Sequence, residues 1–198
     1  AFSDEDLKKL VGTIFTENKE KLLKWPAAYK LHHAIRGGLL MHTLSIVKLC
    51  EGVCEVYPFV DKDLLLSGAI LHDIAKTLEF NVGETGLANG YSVEGNLIGH
   101  LVMGAMMVRE AADKLGTDKK REMLLEHMIL SHHGEPEFGA AVRPLFLEAE
   151  LLSELDLMDA RVYQIHEAIT PLKEDDFSGR LWALDNRKIY NHGLADNK

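Results

Sequence analysis

The stretch DLLLSGAILHDIAKTLEF, residues 63–80, decides the fold. Its apolar residues at 64–66, 69–71 and 74–75 surround most of a helix predicted over about 61–79, so the segment reads as buried. His72 and Asp73 stand in the middle of it. An ionised Asp in such surroundings is costly unless it is paired or bound to a metal. On its own the pair is as well explained by a buried His–Asp hydrogen bond of purely structural purpose.

The rest of the chain reads the same way. Ser3 with Asp6 three residues later resembles a loose capping signal for a helix over about 3–24, which Trp25-Pro26 interrupts. A second helix runs from about Gly38 to Tyr57 and ends at Pro58. Residues 81–95 carry four glycines and read as a loop. Helices follow over about 96–115, stopped by Gly116, and about 118–132, stopped near Gly134. After a loop with Pro136, Gly139 and Pro144 a long helix covers about 145–169, closed by Pro171. No alternating apolar–polar run is long enough for a convincing sheet. The expectation is all-α: one helical bundle over 1–198, its core at about 20–170, with 171–198 as a C-terminal extension packing on it.

The neighbouring helices change the weight of the His72-Asp73 pair. His42 lies in GLLMHTLSIV, His100 in EGNLIGHLVMG, and His132-His133 in MILSHHG. Asp156 and Asp159 occupy i and i+3 in LLSELDLMDAR. A lone histidine on an apolar face is usually a satisfied core residue. Five helices each sending His or Asp out of an apolar stripe point instead to a metal site, which helical bundles build from facing side chains. Imidazole and carboxylate without a thiolate set suit Mn, Fe, Co, Ni or Zn. Lys76, four residues after His72, shares its helix face and either contacts a phosphate beside the metals or pairs with Asp73. Arg143, in AVRPL, is a second candidate for phosphate, against a loop salt bridge.

Composition narrows the class. The chain has 198 residues, 46% of them hydrophobic, enough for one sizeable core. No stretch approaches a membrane span, and the mixed, acidic start AFSDEDLKKL carries no secretory signal. The cysteines, Cys50 and Cys54, share a helix face and read as buried free thiols, so no disulfide framework is expected. A cytoplasmic protein follows as the expectation. A net charge of −9 argues against gripping nucleic acid by bulk electrostatics, although metal ions can supply positive charge in a narrow site.

The order His…His-Asp…His…His-His…Asp resembles the HD superfamily of metal-dependent phosphohydrolases, and more closely the HD half of the YhaM-type 3′–5′ exoribonucleases. The matching stretches are HHAIRGGLLMHTLSIV (32–47), residues 63–80, EGNLIGHLVMG (94–104), HMILSHHGEPEFG (127–139), EAELLSELDLMDAR (148–161) and ALDNRKIY (183–190). The resemblance implies two divalent ions, manganese first. His42, His72, Asp73 and Asp156 would hold one; Asp73 would bridge to a second held by His100, His132 and His133. Asp159 competes with Asp156 as ligand, but matches the later Asp of the family's DxxD and would orient a histidine from behind. His127 is expected to be structural or to support a ligand. His32 and His33 either line the entrance or are exposed turn residues.

The activity so implied is hydrolysis of phosphate esters by a metal-activated hydroxide, with Asp73 and Lys76 central and Lys76 or Arg143 on the phosphate. The substrate implied is single-stranded RNA or DNA trimmed from its 3′ end. Those exonucleases carry an OB-fold ahead of the HD half, whereas only about 30 residues precede HHAIRGG here, too few for such a barrel. Lys19, Lys21, Lys24 and Lys30 with Trp25 and Tyr29 are candidates for touching a strand, though an ordinary solvated helix explains them better. Two alternatives stand: a small-nucleotide phosphohydrolase (nucleotidase or cyclic-nucleotide phosphodiesterase, without the GYP signature of the cyclic di-GMP enzymes), and a non-catalytic nucleotide-sensing module. The apolar piece around Leu181-Trp182 could cover the domain's own core or that of a second copy in a homo-oligomer.

Overall fold

Helix starts follow local capping chemistry. The computed structural model describes residues 2–29, 35–83 and 85–194. Helix α1 (Glu5–Leu22) is capped by Asp4, whose carboxylate accepts from the Asp6 and Leu7 amides, both at 3.0 Å. Ser3, the residue the sequence suggested, is drawn away: its amide and its hydroxyl both donate to Asp63 Oδ2 at 2.7 Å. Helix α2 (Gly38–Val56) follows, then α3 (Lys62–Leu71), capped by Asp61 on the Leu64 amide.

The single helix expected over 61–79 is in fact two. Residues 72–75 tighten into a turn with i→i+3 bonds, Ile74 N to Leu71 O at 3.1 Å and Lys76 N to Asp73 O at 3.0 Å, before α4 (Lys76–Glu79). The loop expected over 81–95 contains an antiparallel hairpin, β1 (Phe80–Val82) with β2 (Ala88–Tyr91), in the register Phe80↔Tyr91 and Asn81↔Gly90. A short α5 (Val93–Leu97) then breaks at Gly99, whose φ of +77° suits glycine, and α6 (His100–Leu115) begins there rather than at 96. Helix α7 (Lys119–Ser131) is capped by Asp118, and α8 (Leu147–Ile169) ends the helical series. The hairpin is the only named sheet among the described residues, and the fold is all-α as the sequence predicts. No described helix is long and apolar enough to cross a membrane.

The chain divides into two compact units, residues 1–157 and 158–198. The first holds two apolar clusters. One gathers Leu10, Ile14, Leu39, Leu71, Val108 and Leu125; the other gathers Ile46, Cys50, Leu65, Met128, Leu152 and Leu155. Both use α2, α3 and α7, so the histidine-bearing helices are held on either side. Cys50 is buried and Cys54 partly so, and neither forms a disulfide. In the second unit the chain beyond α8 folds back through isolated bridges Phe177↔Tyr190 and Leu181↔Arg187 around a 3-10 turn at Trp182–Leu184. Asn191 donates to the Leu172 and Lys173 carbonyls, at 3.1 and 3.2 Å.

One contact fixes where α5 meets α4. A Cβ placed on Gly95 would lie 2.3 Å from the Glu79 carbonyl oxygen, which also accepts from the Ser92 amide at 2.8 Å. Gly95→Ala is therefore expected to cost about 1–3 kcal/mol, read as a fall in melting temperature of several degrees. Gly52→Ala in α2, where a Cβ meets nothing within 4 Å, is the control and should not destabilise. Equal melting temperatures for the two variants would remove this account of the α4–α5 contact.

Candidate metal centre

The site residues arrive mostly where helices end or turn, so short side chains reach one point. His42 comes from the second turn of α2; His72 is the C-cap of α3, and Asp73 follows in the tight turn. His100 opens α6; His132 is the C-cap of α7, with His133 next; Asp156 comes from α8, within the first unit. Asp73 enters the centre from the turn at 72–75.

Asp73 is the hub. Its Oδ2 lies 3.6 Å from His42 Nε2, 3.5 Å from His72 Nε2 and 2.6 Å from Lys76 Nζ. Its Oδ1 lies 3.4 Å from His100 Nε2 and 3.6 Å from His132 Nε2. Asp156 Oδ1 is 3.1 Å from His42 Nε2, which is itself 3.1 Å from His72 Nε2. Ligand atoms within 4.8 Å of one another fall into three overlapping groups: His42, His72 and Asp156; His72, Asp73 and His132; His100, His132 and His133.

Four imidazoles are tied from behind. The Nδ1 atoms of His72, His132 and His133 lie 3.0, 2.8 and 3.0 Å from the carbonyls of Ala69, Ile129 and Phe138. His100 Nδ1 lies 2.9 Å from Glu79 Oε1. A carbonyl can only accept, so the Nδ1 atoms of His72, His132 and His133 carry a proton and Nε2 is the atom left facing the centre; in a neutral ring that atom has the free lone pair a metal ligand requires. Asp73 Oδ1, His100 Nε2 and His132 Nε2 are buried without a hydrogen-bond partner. Native interiors rarely leave such atoms unsatisfied, and three of them converging on one point fit a divalent cation.

The charges are set for the same purpose. Burial pushes Asp73 up, but the Lys76 ammonium beside it holds its carboxyl well below the usual range. Burial pushes Asp156 up as well, and the bond from His42 brings it below the ordinary value. Burial holds His132 below its ordinary pKa, and burial with His132 and His100 beside it takes His133 down to about 3. Carboxylates thus stay ionised and these two imidazoles stay neutral. Lys76, pulled down by burial but more than restored by Asp73, remains charged.

The structure thus brings His42, His72, Asp73, Lys76, His100, His132, His133 and Asp156 together. Asp159 is buried one turn beyond Asp156. Arg143 forms the loop ion pair, 2.6 Å from Glu135, and is exposed. His127 is structural: its Nε2 accepts from the Leu145 amide at 3.1 Å and its ring packs 5.2 Å from Phe146. Trp25 gives its indole N–H to the Phe80 carbonyl, and Lys21 reaches the Thr77 carbonyl, which ties that segment inward. His32, His33 and Lys30 lie outside the described residues. The sequence reading missed Glu79; the signal available was a carboxylate in the apolar run IAKTLEF, three residues after Lys76.

A family model for the HD domain matches residues 39–161, which includes every residue of this cluster. Among curated proteins the chain is 37% identical over 186 residues to the 3′-5′ exoribonuclease YhaM of Listeria welshimeri. It is equally similar to that of Listeria monocytogenes, and 35% identical over 185 residues to that of Bacillus licheniformis. These alignments cover 93–94% of this chain but 58% of each relative. No solved structure matches significantly.

Proposed function

The chain belongs to the HD-domain family, and from that premise we propose that it is a divalent-metal-dependent phosphohydrolase acting on the 3′ end of single-stranded nucleic acid, RNA first. The observation that carries the reading is the division of Asp73, with one oxygen toward His42 and His72 and the other toward His100 and His132. In this assignment His42, His72, Asp73 and Asp156 would hold one ion and Asp73, His100, His132 and His133 a second, manganese being the first candidate. Bound divalent ions supply Lewis-acid polarisation and charge neutralisation at a phosphoryl group.

The chain's own residues do the rest. Imidazoles fixed through Nδ1 present their lone pairs without reorganising, and a preorganised site avoids that cost during the reaction. Lys76 keeps one N–H on Asp73 and has two more to give a non-bridging phosphate oxygen; its side chain is 15% exposed, against 2% for Asp73. Arg143 could join it only by leaving Glu135. Asp159 is assigned a positioning role. Water adds across the terminal P–O3′ bond, releasing a mononucleotide and leaving a 3′-hydroxyl on the shortened strand. RNA is preferred because the similar proteins are named exoribonucleases. A small-nucleotide substrate is the second reading, favoured by the net charge of −9.

The test is an incubation of Mn²⁺-loaded protein with 5′-labelled single-stranded RNA, beside a panel of mono-, di- and cyclic nucleotides. A ladder shortening from the 3′ end is expected. Intact RNA with phosphate released from one nucleotide would move the assignment to the second reading, and no reaction by the metal-filled protein would end both.

A further inference from the structure

Glu79 is a buried carboxylate that the assignment above leaves without a task. Its Oε1 accepts twice from the same residue: from the His100 backbone amide at 3.1 Å and from His100 Nδ1 at 2.9 Å. The first bond caps α6, whose preceding residue, Gly99, has no side chain with which to do so. The second fixes the imidazole. Glu79 is itself held by its backbone, because Ser92 donates its amide to the Glu79 carbonyl and its hydroxyl to the Leu78 carbonyl, both at 2.8 Å. Gly95 lets α5 close over that carbonyl at a distance no side chain would permit. The hairpin and α5 thus form a clamp whose product is the placement of one carboxylate.

The consequence appears at the other ring nitrogen. With Nδ1 donating to Glu79, His100 Nε2 faces the centre, buried and without a partner, 3.4 Å from Asp73 Oδ1. His100 rests on a carboxylate, whereas His72, His132 and His133 rest on neutral carbonyls. A carboxylate behind the ring makes Nε2 a stronger donor than a carbonyl does. We infer that Glu79 is a positioning residue for His100, fixing its tautomer and raising its basicity so that it binds a divalent cation at the His100–His132–His133 end of the site. The inference rests on the metal-binding reading above.

Two measurements test it, one of them without metal. In metal-free protein, long-range ¹H–¹⁵N correlation should show His100 protonated on Nδ1 only; in Glu79→Met that signature should be lost, while Glu79→Gln, whose amide oxygen still accepts, should retain it. Calorimetric titration with Mn²⁺ should show Glu79→Met weakening one of two binding events by about 10–100-fold and leaving the other within about twofold. Placed in a His100→Ala background, the same change should add nothing, the pattern of residues acting through one another. Glu79→Gln should fall between wild type and Glu79→Met, and it serves alone if Glu79→Met does not fold. Equal weakening of both events, or further loss in the His100→Ala background, would reduce Glu79 to a helix cap. If wild type shows the expected tautomer but binds no Mn²⁺, the metal reading fails, while Glu79 still orients His100.

Discussion

Asp73→Ala protein is expected to retain less than about a tenth of the wild-type Mn²⁺ and to lose turnover by more than about 10³-fold. Asp73 lies within 3.6 Å of histidines of both sets, so under the proposed assignment its loss would take a ligand from each at once. Lys76 suffers too. Its ammonium sits 2.6 Å from Asp73 Oδ2 in a largely buried position, and breaking a buried pair from one side costs about 3–5 kcal/mol. Loss of activity in Asp73→Ala could therefore reflect a weakened fold. Asp73→Asn separates the two causes, because it keeps the shape and leaves one oxygen. That oxygen can face only one set, so this variant should keep a wild-type circular dichroism spectrum and bind at most one ion. Atomic absorption on the dialysed proteins reads the result. Asp73→Ala with full metal content and normal turnover would remove Asp73 from the centre and the two-ion assignment with it.

The architecture was legible where the apolar pattern is long. The stripes around His42 and in 63–71 read as buried helices because they are, and the leucines flanking Asp156 lie in a helix that supplies Ala149, Leu152 and Leu155 to a core. The breaks were not legible. Ile74 and Ala75 continue the apolar run of α3 through residues that turn with i→i+3 bonds, so periodicity alone gives no warning at Asp73. The hairpin escaped because its strands have three and four residues, too short for alternation to show, and because ANGY reads as a turn. Among site residues the ligand candidates announced themselves by chemistry, as imidazoles and carboxylates misplaced in apolar surroundings. Glu79 did not, because its partner His100 is 21 residues away across that hairpin. Arg143 and His127 were ambiguous for the same reason: their roles depend on Glu135 and Leu145, which only tertiary structure brings to them.

Metal-free protein should lose stability steeply between about pH 6.5 and pH 5, and the histidines give the sign. His132 and His133 are held below the ordinary pKa by burial, His133 at about 3, and His127 is shifted the same way. Above about 6.5 these imidazoles are neutral in both folded and unfolded chains, so they contribute no pH dependence. As pH falls below that value the unfolded chain takes up protons that the folded one refuses, and stability is lost until the folded pKa is reached. For His133 at pH 5 that is about 1.5 units at 1.36 kcal/mol each, or about 2 kcal/mol, with His132 and His127 adding in the same direction. Asp73 and Asp156, whose carboxyls are held low, also destabilise toward acid, but their window opens only near and below pH 4. The decline from 6.5 to 5 therefore belongs to the imidazoles. Scanning calorimetry of chelator-treated protein should show the melting temperature dropping by at least about 4–8 °C over this range. His133→Gln should drop less, since one suppressed proton has been removed. A melting temperature that stays level or rises toward pH 5 would mean that these rings take up protons in the folded chain at least as readily as in the unfolded one, and burial would not be holding them neutral.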